Sequence, residues 1–118
     1  MEVKIYKSKD DDKIIFSEFE SGKNYIELIP NTVDAKIEKH KPIYEIIDNK
    51  ICVTVGSEIH PMDNNHYIMW IAVVYEDNSV IKKDLKPGLE PKSFFEYQKN
   101  SKIYCYCNLH GLWETIVE

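Results

Sequence analysis

The chain has 118 residues, of which 43% are apolar and 30% charged, and its formal net charge is −5. This length supports one hydrophobic core and is too short for two full domains. The acidic balance disfavours nucleic acid or an anionic membrane as a partner, because both bind basic surfaces. No apolar run reaches the length of a membrane span, and the N-terminus lacks the apolar core of a signal peptide. We therefore expect a cytoplasmic protein.

Short runs of Ile, Val, Tyr and Phe, separated by turn residues, predict an all-β protein. In chain order the predicted strands are 13–19, 25–29, 43–47, 51–55, 67–75, 80–85, 94–97, 103–107 and 113–117. Asp48-Asn49 predicts a hairpin turn between the third and fourth of these strands. The strand 67–75 is apolar on both faces, as expected of a central strand that is covered on both sides.

About seven of these strands follow Ile43 at close spacing, which is typical of an immunoglobulin-like antiparallel β-sandwich. The stretch 30–37 forms a soft boundary before them. The first thirty residues could form a small β appendage, but they are too few to bury a core alone. We therefore expect an N-terminal region at 1–36 and the sandwich at 37–118. No segment has a helical period of useful length.

The three cysteines are odd in number, so they cannot form a complete disulfide framework. In a reducing cytosol, thiols are more often buried, metal-bound or reactive than paired. Cys52 lies in the middle of a predicted strand, where we interpret it as a core residue. Cys105 would share a strand face with Cys107, and we interpret it as buried and inert.

All four histidines and one cysteine fall in three short motifs. These candidate metal ligands are His40, His60, His66, Cys107 and His110. Cys107-x-x-His110 is a tight turn that can bring a thiolate and an imidazole onto one ion, and its backbone N–H groups at Leu109 and His110 are candidate donors to the sulfur. Four imidazoles and a thiolate suit iron, copper or zinc rather than calcium or magnesium. Structural zinc sites are usually four-coordinate and rich in sulfur, so this set fits iron better.

Spacing alone leaves several alternatives open. A metal centre and a set of unrelated surface or core histidines are about equally supported. A non-catalytic electron-transfer protein is also possible, although blue-copper sites use two His and one Cys. A structural zinc domain or a binding module on the same sandwich is a third possibility. Met62 could be a soft ligand but is better interpreted as loop filling, and Trp113 is better interpreted as core than as a shield for the site.

The three motifs closely resemble the active-site signatures of the superoxide reductase family, the desulfoferrodoxin and neelaredoxin group. They read Glu38-Lys39-His40-Lys41-Pro42, then His60-Pro61-Met62 with His66, then Cys107-Asn108-Leu109-His110-Gly111-Leu112-Trp113. The resemblance covers roughly residues 31–113, with the motifs in the family's order and at compatible spacing. It favours a metal centre over unrelated histidines.

The resemblance implies a mononuclear non-haem iron bound equatorially by His40, His60, His66 and His110, with the sulfur of Cys107 as axial ligand. It implies one-electron reduction of superoxide to hydrogen peroxide without release of dioxygen. Glu38 would occupy the sixth position in the ferric resting state. Lys39 would guide the anion and support the protonation that yields hydrogen peroxide. An external donor, generally rubredoxin in this family, would restore ferrous iron, and a homo-oligomer (a dimer or tetramer) is expected.

The N-terminal region departs from the two-iron members of the family. Those members carry an added small domain in which four cysteines hold a second iron, whereas residues 1–37 of this chain contain no cysteine. The segment 29–34 resembles the family's linker. The resemblance therefore implies a single-iron protein that keeps a degenerate, desulforedoxin-like N-terminal region. For residues 1–30 we expect a packing or dimerisation role.

Overall fold

The computed structural model describes residues 2–20 and 22–118, and strands dominate this part of the chain. The elements are β1 (Lys4–Ser8), β2 (Ile14–Ser17), β3 (Tyr25–Leu28), α1 (Ile37–His40), β4 (Pro42–Ile47), β5 (Lys50–Val55), β6 (Ile68–Val74), β7 (Val80–Asp84), β8 (Lys92–Glu96), β9 (Lys102–Cys107) and β10 (Gly111–Ile116). In the described residues no helix has the length and apolar character needed to cross a membrane.

The seven strands β4 to β10 form the predicted antiparallel sandwich. One sheet has the order β4-β5-β8 and the other the order β10-β9-β6-β7. Alternation places Ile51, Val53 and Val55 of β5 inward, each fully buried, against the inner face of the other sheet. The all-β, immunoglobulin-like prediction is confirmed.

The N-terminal region forms a third layer on the outer face of the larger sheet. Strands β1, β2 and β3 make a three-stranded sheet with β1 in the centre. Val3 and Ile5 of this region are buried in a second core together with Trp70 and Tyr106 of the sandwich. Strand β6 therefore has apolar neighbours on both faces, as its sequence predicted. The appendage does not bury a core by itself, because it shares one with the sandwich.

The predicted hairpin turn between β4 and β5 is confirmed. Asp48 and Asn49 have φ values of 51° and 63°. Two consecutive residues with positive φ are the signature of the type I′ turn, whose twist matches that of the flanking strands. The register follows from this turn, with Ile47 opposite Lys50 and Pro42 opposite Val55.

Two elements were not predicted, β1 and α1. The four residues of α1 are fewer than a helical period needs to be visible in a sequence. The turn closes with a hydrogen bond of 2.9 Å from the N–H of Lys41 to the carbonyl of Ile37, and it ends before Pro42, as expected of a residue that precedes proline. The last predicted strand begins two residues earlier than expected, at Gly111, so β10 starts immediately after the Cys107–His110 turn.

Candidate metal centre

His40 enters the site from the last residue of α1. Its side chain is 3% exposed. The ring Nδ1 lies 2.7 Å from the carbonyl oxygen of Lys36, one helical turn earlier, and donates to it. This bond fixes the tautomer and leaves Nε2 without a proton, which is the form that binds metals.

His60 and His66 both lie in the loop between β5 and β6, on either side of residues 61–65. His60 is 1% exposed, and its Nδ1 donates to the carbonyl of Pro61 over 2.7 Å. The loop closes through paired backbone bonds between Asp63 and His66. The Nε2 atoms of both histidines are buried and have no hydrogen-bond partner among the described residues. Two orphaned ring nitrogens beside each other indicate a ligand that is not a protein group.

Cys107 ends β9 and His110 lies in the turn that leads to β10. The Cys107 sulfur is fully buried and lies 3.8 Å from the His110 Nδ1. Burial raises the pKa of the Cys107 thiol, and the backbone N–H groups of Leu109 and His110 act against this rise by donating to the sulfur. These are the two donors that the sequence suggested. They stabilise the thiolate, which is the metal-binding form.

The four imidazoles are arranged as a ring. The centroid distances between neighbours are 4.8 Å for His40 and His60, 4.7 Å for His60 and His66, 5.1 Å for His66 and His110, and 4.6 Å for His110 and His40. Neighbouring rings are nearly perpendicular, with interplanar angles from 72° to 83°. The structure thus brings together all four predicted imidazoles, although they come from three separate segments.

The possible ligand atoms of four residues form a compact group. Those of His40, His66, Cys107 and His110 all lie within 4.8 Å of one another. His60 is not part of this group but lies against it through its ring contacts with His40 and His66. The Nε2 of His40 and the Nδ1 of His110 are 2.9 Å apart. Two nitrogen ligands of one ion, each about 2.1 Å from it, have a separation close to this value.

Burial keeps His40, His60 and His66 neutral. Desolvation lowers the pKa of His60 to about 4, and it is also the largest cause of the lowered pKa values of His40 and His66. The neighbouring imidazoles act in the same direction, because each disfavours a second positive charge beside it. At neutral pH the ring nitrogens are therefore available to a metal without first losing a proton.

Lys39 and Glu38 differ in their relation to this ring. The Lys39 ammonium is close enough for its charge to help lower the pKa values of His40 and His66. The Glu38 side chain is exposed and lines a surface cleft with Lys41 and Ser57. Within the described residues Glu38 is outside the group of possible ligands.

Three neighbouring residues have structural roles. The thiol of Cys105 is fully buried and donates to the carbonyl of His40 over 3.2 Å, and burial raises its pKa. The Met62 sulfur accepts the N–H of Ile68 at 3.3 Å, so this side chain fills the core. Trp113 stacks on His40 with a centroid distance of 5.2 Å, and its indole N–H donates to the carbonyl of His110.

Asn108 and Gly56 contribute to the site in ways that sequence reasoning missed. The Asn108 side chain accepts the N–H of Tyr67 at 3.0 Å and donates to the carbonyl of Asn65 at 3.0 Å, so it joins the loop that carries His66 to the Cys107–His110 turn. Gly56 has a φ of 84°, and an added Cβ would lie 2.7 Å from the carbonyl oxygen of Lys39. The position of Asn108 inside a motif was a signal for its role. The role of Gly56, in contrast, depends on a tertiary contact.

The donor set of this site fits a transition metal. It combines the neutral imidazoles of His40, His60 and His66, a buried sulfur with two N–H donors, and two ring nitrogens without a partner in the described part of the chain. Mixed nitrogen and sulfur donors of this kind suit iron, copper or zinc. The fold and the site together define a class of protein: a small β-sandwich that holds one metal at the end of its sheets.

The chain belongs to the desulfoferrodoxin family, whose model matches residues 32–116. The chain is 47% identical over 85 residues to a desulfoferrodoxin homolog of Archaeoglobus fulgidus, covering 71% of this chain and 67% of the relative. It is 38% identical over 103 residues to a superoxide reductase of Thermococcus kodakarensis, covering 71% of this chain and 90% of the relative.

Solved structures of superoxide reductases have the same fold. That of Treponema pallidum superimposes with a TM-score of 0.78 at 26% identity, covering 98% of this chain and 99% of that one. The single-iron superoxide reductase of Giardia intestinalis gives a TM-score of 0.58 at 31% identity and covers 69% of this chain and 98% of its own. The likeness to the Treponema protein therefore includes the N-terminal layer.

Proposed function

We infer that this protein is a superoxide reductase with one mononuclear non-haem iron per chain. The observation that carries this conclusion is the ring of four imidazoles beside the Cys107 sulfur, in a chain that belongs to the desulfoferrodoxin family. Relatives named superoxide reductase match over most of their own length. The reaction is O₂•⁻ + e⁻ + 2H⁺ → H₂O₂, and it removes superoxide without releasing dioxygen.

The proposed ligands are the nitrogens of His40, His60, His66 and His110 and the sulfur of Cys107. For His40 and His60 the binding atom is Nε2, because Nδ1 of each donates to a backbone carbonyl. For His110 it is Nδ1, the ring nitrogen that lies near both Cys107 and His40. Iron bound here would supply the electron by cycling between its ferrous and ferric states.

The protein's own charges assist a small anion. With a net charge of −5 the protein repels superoxide at long range, so a local positive field is needed. The Lys39 ammonium supplies this field beside His66, and it is worth at most about 4 kcal/mol for a charge 4 Å away at an effective dielectric near 20. We propose that Lys39 also supports protonation of the reduced product, and that Glu38 would be a further ligand of iron in its ferric state.

The test is iron reconstitution under anaerobic conditions followed by superoxide kinetics. We expect about one iron per chain and a visible thiolate-to-iron band that grows on oxidation and bleaches on reduction. Each superoxide molecule that is removed should consume one reducing equivalent and release no dioxygen. A protein that loads iron and changes redox state while superoxide decays at the uncatalysed rate would instead be a non-catalytic electron carrier.

The electron that each turnover consumes must come from outside the chain. We propose a rubredoxin or a similar small redox protein as the donor. Leu109, between Cys107 and His110, is 59% exposed and offers such a partner an apolar contact close to the sulfur. Stopped-flow reduction of the ferric protein by reduced rubredoxin tests this, with saturation at rising donor concentration as the expected result.

We further propose a homo-oligomer, a dimer or tetramer, located in the cytoplasm. Exposed apolar side chains on the outer face of the β4-β5-β8 sheet support association, among them Ile43, Ile47 and Phe94. Three unpaired thiols support a reducing compartment. Sedimentation equilibrium measures the oligomeric state, and a monomer at micromolar concentration would contradict it.

Residues 1–36 are proposed to be a degenerate desulforedoxin-like region that has lost its metal and kept a packing role. Burial of Val3 and Ile5 against the sandwich supports that role. Metal analysis of the reconstituted protein tests the loss, because a second iron per chain would contradict it.

A further inference from the structure

One linker residue, Asn31, binds the free edge of the strand that follows the metal-binding turn. Strand β10 lies at the edge of its sheet, with β9 on one side only. The N–H of Asn31 donates to the carbonyl of Leu112 at 3.0 Å, and its side-chain amide donates to the carbonyl of Glu114 at 3.3 Å. The amide oxygen of Asn31 accepts the N–H of Glu114 at 3.0 Å. One residue thus satisfies three backbone groups of the edge.

The backbone of Asn31 suits this role. Its φ of 63° is in the left-handed region, which Asn adopts more readily than most residues. This conformation lets the chain turn away at Asn31 after a single strand-like contact. The three bonds tie β10 at Leu112 and Glu114, close to the turn that holds Cys107 and His110.

The residues after Asn31 reach the metal centre itself. A Cβ built on Gly111, the first residue of β10, would lie 3.1 Å from Cγ2 of Val33. Farther along, the carbonyl of Lys36 accepts a hydrogen bond from Nδ1 of His40 at 2.7 Å. The segment 31–36, which we name the linker strap, therefore binds β10 just after the Cys107–His110 turn at one end and orients the imidazole of His40 at the other.

We propose that the linker strap sets the position of the Cys107–His110 turn relative to His40, with the Asn31 amide as its positioning residue. This proposal rests on the proposed ligand set, because it assigns those ligands to one metal. His110 and His40 come from segments 70 residues apart in sequence, and their facing nitrogens are 2.9 Å apart. Loosening β10 would let the imidazole of His110 move away from the imidazole of His40.

The test measures the affinity of the full-length protein for Co²⁺, which binds mixed nitrogen and sulfur sites and gives a thiolate-to-cobalt band. Asn31→Gly keeps a residue that accepts a positive φ and removes both side-chain bonds. Asn31→Asp keeps the acceptor for the Glu114 N–H and replaces the donor with an oxygen that faces the Glu114 carbonyl. In both variants we expect roughly 10-fold weaker Co²⁺ binding and a shift of the thiolate band. This loss of affinity is at the lower end of what removal of a group that orients a metal ligand usually causes.

Asn100→Gly is the matched control. Asn100 also has a positive φ, 64°, and its side-chain amide donates to Glu76 at 2.7 Å. It precedes the first residue of β9, whereas Cys107 is the last residue of that strand. This variant should keep the parent's Co²⁺ affinity and band, even if its melting temperature falls as far as that of Asn31→Gly.

The outcomes distinguish failure of the linker strap from failure of the ligand set on which it rests. Asn31 variants that melt earlier but bind Co²⁺ with the parent's affinity and band would overturn the positioning role. The same loss of affinity in Asn100→Gly would also overturn it. A parent chain that binds no Co²⁺ would refute the ligand set and the strap together. Weaker binding in the Asn31 variants alone supports the strap, even if the iron form proves inactive toward superoxide.

Discussion

Two of the proposed ligands are oriented by backbone carbonyls that lie close to them in the sequence. His40 donates to Lys36, four residues earlier, and His60 donates to Pro61, the next residue. Such local bonds fix the tautomer and the ring direction through residues that are close in sequence. Short segments of the chain therefore account for part of the preorganisation of the site.

Lys39 is the residue whose charge should control the encounter with superoxide. Replacing it with Ala removes the positive charge that acts on His40 and His66, so we expect a roughly 10-fold lower second-order rate at low salt and a flatter dependence on ionic strength. Pulse radiolysis at several salt concentrations measures both.

Lys41→Ala is the control for this prediction. Lys41 is exposed and lines the neighbouring cleft, and its removal changes the net charge by the same amount. An equal slowing in the two variants would mean that net charge, and not the position of Lys39, governs the encounter.

The two cysteines of β9 should behave differently. Cys107→Ala removes the proposed sulfur ligand, so the thiolate-to-iron band should vanish. Cys105→Ala removes a buried thiol that donates to the His40 carbonyl, which should cost about 1–2 kcal/mol of stability and leave the band in place. Visible spectra and urea unfolding of the two variants give the comparison. A band that is lost in Cys105→Ala and kept in Cys107→Ala would reverse the assignment.

Sequence motifs predicted the residues of the candidate site, and they could not predict how these residues are supported. His60, His66 and the Cys107–His110 pair stand in short motifs that resemble the family's signatures, whereas their spacing alone left metal binding open. The contact of Asn31 with Glu114 joins residues 83 positions apart, and nothing in the local sequence of either indicates it. Long-range bonds of this kind exist only once the sheets have formed.

At the scale of elements, close approach of α1 to the end of β5 depends on Gly56. A Cβ there would lie 2.3 Å from the carbonyl oxygen of Glu58 and 2.7 Å from that of Lys39, and φ is 84°. Gly56→Ala should therefore destabilise the protein by about 3 kcal/mol or more and weaken iron binding, since α1 carries His40. Urea unfolding and iron titration measure the two effects.

Gly88→Ala separates strain from steric overlap. Gly88 has a similar φ of 91°, but a Cβ there would meet nothing within 4 Å. In this variant the free energy of unfolding should fall only by the cost of backbone strain at a positive φ, about 1–2 kcal/mol. Its affinity for iron should not change. If both variants lose the same stability, the contact between α1 and β5 is not the reason for glycine at position 56.

Sequence patterns predicted the seven strands of the sandwich because each is rich in β-branched and aromatic residues and is bounded by turn residues. They missed β1, in which Lys4 and Lys7 interrupt the apolar residues. Its burial comes from the neighbouring layer and not from its own composition. Strand ends were also displaced, as with the start of β10 at Gly111, because hydrogen-bond pairing with β9 extends the strand into the turn.

At the scale of the whole molecule, the larger sheet of the sandwich lies between two apolar layers. Its inner face packs on the β4-β5-β8 sheet beside the metal centre, and its outer face packs on the N-terminal sheet. Trp70 belongs to the outer face, where it stacks on Tyr106 at 5.7 Å and meets Phe16 at 5.5 Å. The N-terminal region therefore covers apolar surface that the sandwich would otherwise expose to water.

This arrangement predicts that the N-terminal region and the sandwich unfold as one unit. Ile5 is 3% exposed in the shared core, and Ile5→Ala should lower the free energy of unfolding of the whole protein by about 2–4 kcal/mol. Ile26 is 51% exposed on the same small sheet, and Ile26→Ala should change it by less than about 0.5 kcal/mol. Urea unfolding is followed by circular dichroism and by tryptophan fluorescence in a Trp113→Phe background, in which Trp70 alone reports on the boundary. Coincident midpoints in Ile5→Ala would establish a single cooperative unit. An early fluorescence change, followed by separate unfolding of the remaining strands, would instead make residues 2–30 an independent appendage with no part in the stability of the metal centre.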